Sequence, residues 1–273
     1  LIKFMEVKII PTGGLCNRLR AIATGIAVAE RYQSEAIIYW NNSIGLKADF
    51  KDLFQPINNK HITLKENQKW IYKIDGTKDY LKRALLLHLL SEQCIFSYSI
   101  YRSNSDIYEK LKKQYKNTLL LISCYPMCKV YELKNIFVPQ LDIQKRIDKI
   151  VQNFTKRTIG IHIRRTDNIE SIKSSPLEAF INSINAELKK DANTKFYLAS
   201  DDDHVKDILE EKFPDSIITI REDVDRNTLE GMKFAVVDLF CLSKTQKFIG
   251  SVFSSYSQIA AELGNIEIEY AKI

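Results

Sequence analysis

The residues with the clearest chemical potential follow a strand-like segment in the second half of the chain. From Thr158 to Ile163, isoleucine occupies every second position, the period of two that predicts a β-strand. This alternation puts His162 and Arg164 on one face and Arg165 on the other. Ligands of open α/β sheets bind beyond the carboxyl ends of the strands, where a guanidinium has the charge and donor fork that suit a phosphate. The alternative is a strand that ends in solvated surface charge.

Two glycines follow the first predicted strand of the chain. Gly13 and Gly14 come directly before a helical pattern that includes Asn17 and Arg18. Glycine allows the backbone to approach a phosphate closely, and a helix N-terminus offers free N–H donors. The segment lacks the full dinucleotide fingerprint, so an ordinary tight turn is an equal alternative.

Acidic residues follow two of the predicted strands. Asp167 could pair with an arginine and fix its plane, or it could cap a helix. The run Asp201–Asp203 matches the Asp-x-Asp metal motif of metal-dependent sugar transferases. An acidic run after a strand is also a common helix start, which we favour for Asp202 and Asp203. Asp201, closest to the strand, keeps a ligand role.

A carboxylate and a group of serines occur near the end of the chain. On a helix, Asp238 has four apolar neighbours one turn away, so it would be buried and would need a partner. Either a structural arginine or a ligand with two N–H donors, such as the edge of guanine, would satisfy it. The turn that includes Ser254 and Ser255 offers hydroxyl and amide groups to a phosphate or a sugar, although serine is also a common N-cap.

The elements that must position these residues form an α/β pattern. The first half opens with strand 7–10, a helix from Leu15 to about Arg31 and strand 36–40, the beginning of a doubly wound sheet. Further along we predict strand 119–122, and helices at 79–92 and 105–116. The second half alternates strands and helices regularly. Its predicted strands are 158–163, 195–200, 217–220, 247–251 and 266–270, and its predicted helices are 141–154, 176–190, 203–212, 228–243 and 255–263. We therefore predict an α/β fold with two domains, 1–140 and 141–273.

The net charge of +6 is distributed unevenly along the 273 residues. Residues 1–150 contain 24 Lys and Arg against 14 Asp and Glu, whereas the remainder contains 16 against 20. Because the lysines of the first half are dispersed, a solvated surface is a better interpretation than a nucleic-acid groove. Contact of this basic half with an anionic membrane or acceptor stays open.

Cysteine usage and hydropathy bear on the compartment. Five cysteines and four histidines show no paired spacing of the zinc-binding kind. Reduced thiols, an absence of runs of about 18 apolar residues and a charged start lead us to expect a cytoplasmic protein.

Four segments together resemble one enzyme family. Residues 159–167 resemble the His-x-Arg-Arg-x-Asp motif of the α-1,2-, α-1,6- and protein O-fucosyltransferase superfamily. Residues 196–202 are similar to its second motif, and Val237-Asp238 with 248–255 to its third region. Gly13–Arg18 looks like its amino-terminal loop, although Cys16 stands where glycine is common. The segment 43–135 shows no resemblance.

The resemblance implies a GT-B architecture, with two Rossmann-like domains facing a central cleft. It implies GDP-fucose as the donor, a glycan or lipid-linked sugar as the acceptor bound by the first domain, inversion at the anomeric carbon, and no metal or other cofactor. Arg164 would grip the β-phosphate as the catalytic cation, with Arg165 as its support, and we also predict that Asp167 and Asp201 contact the nucleotide. Glu170 lies near the place of the proposed base, at a different spacing.

The remaining roles also follow from the resemblance. His162 and Asp238 would contact guanosine, Ser254 and Ser255 the phosphates, and Gly13, Gly14 and Asn17 would complete the pocket. Two alternatives stay open: a transferase that uses another nucleotide sugar, and a catalytically silent nucleotide-binding module.

Overall fold

The structure is a computed structural model that describes residues 6–71, 87–103, 106–111, 117–128 and 133–272. The chain divides into two compact units, Leu1–Val138 and Pro139–Ile273.

The first unit has a five-stranded parallel sheet in the order β3-β2-β1-β5-β4. Its strands are β1 (Glu6–Pro11), β2 (Glu35–Trp40), β3 (Ile62–Glu66), β4 (Gln93–Phe96) and β5 (Thr118–Ser123). Its helices are α1 (Leu15–Arg31), α2 (Phe50–Leu53), α3 (Ser97–Ser103), α4 (Ile107–Leu111) and α5 (Leu133–Ile136). The order reverses beside β1, so the turn between β1 and α1 lies at a switch point, where α/β sheets bind ligands.

The second unit has a five-stranded parallel sheet in the order β10-β9-β6-β7-β8. Its strands are β6 (Thr158–Ile163), β7 (Lys195–Ser200), β8 (Ile217–Thr219), β9 (Lys247–Gly250) and β10 (Ile268–Tyr270). Its helices are α6 (Leu141–Val151), α7 (Ile169–Ser174), α8 (Leu177–Lys190), α9 (Asp203–Lys212), α10 (Leu229–Leu242) and α11 (Ser255–Gly264). This is the doubly wound order, and its switch point lies between β6 and β9.

Side-chain alternation in β6 divides the core of the second unit. Ile159, Ile161 and Ile163 pack with residues of α8 and α9 in one apolar cluster. The opposite face of the sheet is covered by α10 and α11, and α6 packs against α10. Both faces are therefore buried, as parallel sheets require, and β6 lies at the centre with all six residues buried.

The predicted α/β class and two parallel sheets are confirmed. Every element predicted in the second half is present, with ends shifted by a few residues. Pro176 is the N-cap of α8, so this helix begins one residue later than the range 176–190 predicted from the sequence. The helix predicted at 79–92 lies largely outside the described residues; its described end, 87–90, is helical. Of the helix predicted at 105–116, the described part contains α4.

Among the described residues, the sequence patterns missed two strands, β3 and β4, and four helices of four to seven residues, α2, α3, α5 and α7. The short strands β3 and β4 lie at the two edges of the first sheet, where exposed residues weaken the hydrophobic period of two. The six-residue α7 is too short to show a helical period. Across the described ranges, no helix has the length and apolar character to cross a membrane.

Candidate functional site

His162 lies at the end of β6, and its imidazole is buried. Its Nδ1 is 2.8 Å from Oγ of Ser257, and its ring stacks on Tyr256 with centroids 4.7 Å apart. Burial lowers the pKa of His162 to about 3; Asp201 opposes this shift and Arg164 adds to it. The imidazole is therefore uncharged near pH 7 and can take part in hydrogen bonding or stacking.

Arg164 follows β6, and two carboxylates hold its side chain. Nη1 lies 2.8 Å from Oδ2 of Asp201, and Nη2 donates to Oδ1 of Asp167. Its backbone N–H donates to Oγ of Ser251 at 3.0 Å, which ties the end of β6 to the end of β9. The side chain is 20% exposed, so the guanidinium is fixed in place and still accessible to a ligand.

Asp201 connects the ends of β6 and β7. Besides Arg164, it accepts the backbone N–H of Arg165 on Oδ1 at 2.8 Å and the hydroxyl of Thr166 on Oδ2 at 2.6 Å. Both oxygens are thus used within the protein, which explains why this aspartate orients the arginine segment.

Arg165 lies on the opposite face of the sheet from His162. Its guanidinium carbon lies 5.8 Å from the ring centroid of Phe180, in the cluster under α8. Nη1 donates to the carbonyls of Arg164 and Ser175, each at 3.0 Å. Among the described residues, buried Nη2 has no hydrogen-bond partner. Burial lowers the pKa of Arg165, against the charges of Asp201 and Asp202. This arginine supports the backbone after β6.

Asp167 bridges two arginines. Oδ1 accepts from Arg164, and Oδ2 accepts from Nη2 of Arg226 at 2.6 Å. Burial acts to raise the pKa of Asp167, but the hydrogen bonds and charges of the two arginines outweigh it and lower the pKa. Of the two roles considered from the sequence, arginine pairing is therefore the one observed. The neighbouring Asn168 caps α7 instead.

Asp238 lies on α10, buried except for 7% of its surface. The hydroxyl of Tyr197, on β7, donates to Oδ1. Among the described residues, its hydrogen-bond partner is thus a tyrosine and not the structural arginine considered from the sequence. Burial raises the pKa of Asp238 to about 7, while Tyr197 and the charge of Lys206 act to lower it. Oδ1 is thus occupied by a donor of the protein itself.

Tyr197 also contacts a thiol on the helix that carries Asp238. Its hydroxyl is hydrogen-bonded to Cys241, and its pKa is well above the usual value because of burial and the charge of Asp238. Cys241 is fully buried, and burial raises its pKa as well. Asp238, Tyr197 and Cys241 thus form one buried polar cluster between β7 and α10.

The serine-rich turn between β9 and α11 is held by a helix cap and a side-chain hydrogen bond. Ser254 is the N-cap of α11 and accepts from the backbone N–H of Ser257. Ser255 begins the helix. The turn bends at Phe253, which has φ of 57° and whose carbonyl accepts from the side chain of Asn168 at 3.0 Å. The predicted cap role of serine is thus observed, and a phosphate role stays a prediction.

The acidic run after β7 is divided among structural contacts. Asp202 caps α9, and Nζ of Lys206 lies 3.0 Å from Oδ1 of Asp203. The helix-start interpretation of these two residues is confirmed. Over the described residues, no group of three or more His, Cys, Asp or Glu side chains could hold a metal ion.

The glycine turn of the first unit is built around two arginines. Gly13 has φ of +80°, and a Cβ there would lie 2.8 Å from Nδ2 of Asn17, so this position requires glycine. Gly14 is the N-cap of α1. Buried Arg18 donates from Nε to the carbonyl of Gly13 at 2.9 Å, and Nη2 of Arg20 donates to Oδ1 of Asn17 at 2.7 Å.

The last sequence candidate, Glu170, is exposed in the first turn of α7.

The second unit brings together His162, Arg164, Asp167 and Asp201 in contacts around the end of β6. Sequence reasoning missed Tyr197 and Arg226, and it did not predict that Tyr256 and Ser257 of the serine-rich turn contact His162. The strand period could have placed Tyr197 on the His162 face, whereas Arg226, in a loop, gave no signal.

Solved fucosyltransferase structures share this fold. NodZ from Bradyrhizobium aligns with a TM-score of 0.64, and NodZ α-1,6-fucosyltransferase soaked with GDP-fucose with 0.67; both are 18% identical and cover 96% of this chain and 93% of theirs. Arabidopsis thaliana FUT1, as a variant in complex with GDP, aligns with 0.61 at 12% identity over 98% of this chain and 70% of that chain. Apo POFUT1 aligns with 0.57 at 13% identity over 100% and 99%.

These likenesses show that the chain has the GT-B fold of the fucosyltransferases, as the sequence resemblance implied. No protein-family model matches the chain, and a search of curated proteins finds no match.

Proposed function

We propose that this protein is an inverting, metal-independent glycosyltransferase that moves fucose from GDP-fucose to a glycan or a lipid-linked sugar. One observation carries the proposal: Asp201 and Asp167 fix Arg164, still accessible, at the switch point of the second sheet. The similarity of the fold to NodZ soaked with GDP-fucose and to FUT1 with GDP supports the choice of donor.

The chemistry of glycosyl transfer explains why a fixed arginine matters. The transition state is oxocarbenium-like, and negative charge grows on the departing diphosphate. A preoriented guanidinium next to that phosphate stabilises the charge without reorganisation during the reaction. Arg164 would therefore act on the leaving group, with Arg165 and Asp201 keeping its backbone and side chain in place.

The base of the nucleotide would meet His162 and Asp238. His162 is uncharged near pH 7 and so could stack or form a hydrogen bond without attracting a phosphate. Guanine presents two adjacent N–H donors, which an ionised Asp238 could accept. Ser254, Ser255 and the turn with Gly13, Gly14 and Asn17 are proposed to complete the donor site.

Three further proposals concern the catalytic base, the binding of the acceptor and the location of the protein. Glu170 is our proposed base, and the first unit our proposed acceptor-binding domain. We further propose a cytoplasmic location, with the basic first half in contact with the anionic inner face of a membrane.

A thermal-shift panel tests the donor. GDP and GDP-fucose should raise the melting temperature more than UDP, ADP or their sugar conjugates do, equally with and without EDTA. GDP release from GDP-fucose should then rise when a suitable acceptor is added. Equal shifts by all three nucleoside diphosphates would refute the guanine assignment, and loss of turnover in EDTA would refute metal independence.

Two alternatives are supported by particular observations. The contacts at Arg164 would grip any nucleoside diphosphate, which leaves room for another donor sugar. Turnover of another nucleotide sugar, with GDP-fucose inert, would identify that case. The exposed position of Glu170 favours a binding module without catalysis; tight GDP binding with no GDP release from any donor would establish it.

A further inference from the structure

A second arginine lies next to the proposed phosphate clamp. The carboxylate of Asp167 accepts from Arg164 on one oxygen and from Arg226 on the other, the latter at 2.6 Å between Nη2 and Oδ2. Two guanidinium groups thus face one anionic group, and a phosphate is the anion that such paired donor forks suit best.

The loop that carries Arg226 is held independently of Asp167. At its start, Arg221 pairs with Asp207 and Glu210 of α9 at 2.7 and 2.5 Å. Glu222 pairs with Arg146 of α6.

The rest of the loop forms an ordered turn before α10. Thr228 donates its hydroxyl to Oδ2 of Asp223 at 2.7 Å and caps the helix by accepting from the N–H of Gly231. Asp225 accepts the N–H of Asn227 at 2.9 Å. The backbone at Arg226 is therefore fixed, and its side chain, 43% exposed, can meet a ligand with little loss of conformational entropy.

The charge of the hydrogen-bonded network depends on Arg226. Arg164, Arg165 and Arg226 are linked through Asp167 and Asp201, which leaves one net positive charge. Without Arg226 the network would be neutral, and its attraction for a dianionic phosphate would weaken.

Resting on the proposed function, we infer that Arg226 is a second phosphate-binding residue of the donor site, kept next to Arg164 by the bridging Asp167. Both arginines would contact the terminal phosphate of GDP, the group that departs from the sugar. Arg226 thereby helps the site discriminate diphosphates from monophosphates.

Binding measurements by calorimetry test this role. Arg226→Ala should weaken GDP binding by about ten- to a hundredfold, the range expected for a hydrogen bond to a charged group. Guanosine, which lacks phosphate, should bind with unchanged affinity, and this result would also show that the base pocket is intact. Arg226→Lys keeps the charge but loses the guanidinium fork, so its affinity for GDP should lie between those of the wild type and Arg226→Ala.

Arg157→Ala is the matched control, because it removes an exposed arginine of the second unit that pairs with Asp191 at the opposite end of β6 from Arg164. It should bind GDP as the wild type does. If the wild type binds GDP and Arg226→Ala binds it equally well, the inference about Arg226 is overturned and the proposed function is not affected. Failure of the wild type to bind GDP would instead refute the proposed function. Equal weakening of guanosine and GDP would show that Arg226 acts through the fold.

Discussion

Nη1 of Arg164 lies 2.8 Å from Oδ2 of Asp201, and the second oxygen of the same carboxylate accepts the backbone N–H of Arg165. One aspartate on the neighbouring strand end thus fixes the side chain of one arginine and the main chain of the next. The orientation of the proposed cation is built into the sheet before any ligand arrives.

Removing this cation should affect turnover more than folding. We expect Arg164→Ala to lower kcat by about a hundred- to a thousandfold, the usual effect of losing one group that stabilises transition-state charge. Arg164→Lys should remain strongly impaired, because an ammonium cannot pair with Asp167 and Asp201 while gripping a phosphate. Steady-state kinetics with GDP-fucose measure both effects.

Arg157→Ala provides the matched control for Arg164. Arg157 is exposed before β6 and pairs with Asp191 at 2.9 Å. Its loss should leave kcat within twofold of the wild type. A drop of similar size in both variants would mean that the effect reflects general charge and not the site.

Acid should destabilise the second unit through His162. Its pKa of about 3 in the folded protein is below the ordinary 6.5, so the unfolded chain binds more protons between these values. The stability that neutral His162 contributes is complete above about pH 6.5 and is lost as the pH falls toward 3. In His162→Gln the free energy of unfolding should fall less steeply with acid.

Urea unfolding at pH 4, 5 and 7 measures this difference, with exposed His204→Gln as the control for removing an imidazole. If the free energy of unfolding fell equally with pH in the wild type and in His162→Gln, this would contradict a buried neutral imidazole.

The carboxyl of Asp238 should have the opposite effect on the pH dependence of stability: its contribution is lost as the pH rises. Its pKa rises to about 7 in the folded protein from an ordinary 3.8, so the folded state retains a proton that the unfolded chain loses. The contribution of this carboxyl to stability is complete below pH 3.8 and is lost as the pH rises through 7. Asp238→Asn, which can still accept from Tyr197, should therefore gain stability over the wild type as the pH rises from 4 to 8.

Chemical unfolding of Asp238→Asn at pH 4.5, 6 and 8 provides the test. Asp148→Asn on α6, an exposed carboxylate, controls for the loss of one negative charge. A stability difference that is constant with pH would show that Asp238 is ionised in the folded protein throughout.

The loop before α10 should tolerate no side chain at Gly231. A Cβ there would lie 2.1 Å from the carbonyl oxygen of Asp225, and this atom belongs to the backbone, so the loop must move. Gly231→Ala should reduce the free energy of unfolding by about 1–3 kcal/mol and weaken GDP binding by displacing Arg226. Glu230→Ala, an exposed neighbour, should stay within about 0.5 kcal/mol; equal effects of the two substitutions would contradict the steric argument.

The sequence predicted the site where local periodicity determined it. The alternation in β6 placed His162 and Arg165 on opposite faces, and the structure confirms this through the contacts of each with Ser257 and Phe180. Apolar neighbours one turn away likewise predicted the burial of Asp238.

Partners distant in sequence could not be predicted in this way. Asp238 pairs with Tyr197, on another element, and Arg226 meets Asp167 from a loop without any repeating pattern. Such contacts depend on the order of strands in the sheet, which a single sequence does not specify.

Cys241, in the polar cluster with Tyr197 and Asp238, allows the opening of the second unit to be measured separately from that of the first. It is the one cysteine in residues 139–273 of the sequence, and its thiol is fully buried. An alkylating reagent reaches it only when this unit opens, whereas the buried Cys16 reports on the first unit. Mass spectrometry after brief alkylation would therefore time the opening of each unit, and a nucleotide bound to the second would slow labelling of Cys241 in proportion to its occupancy.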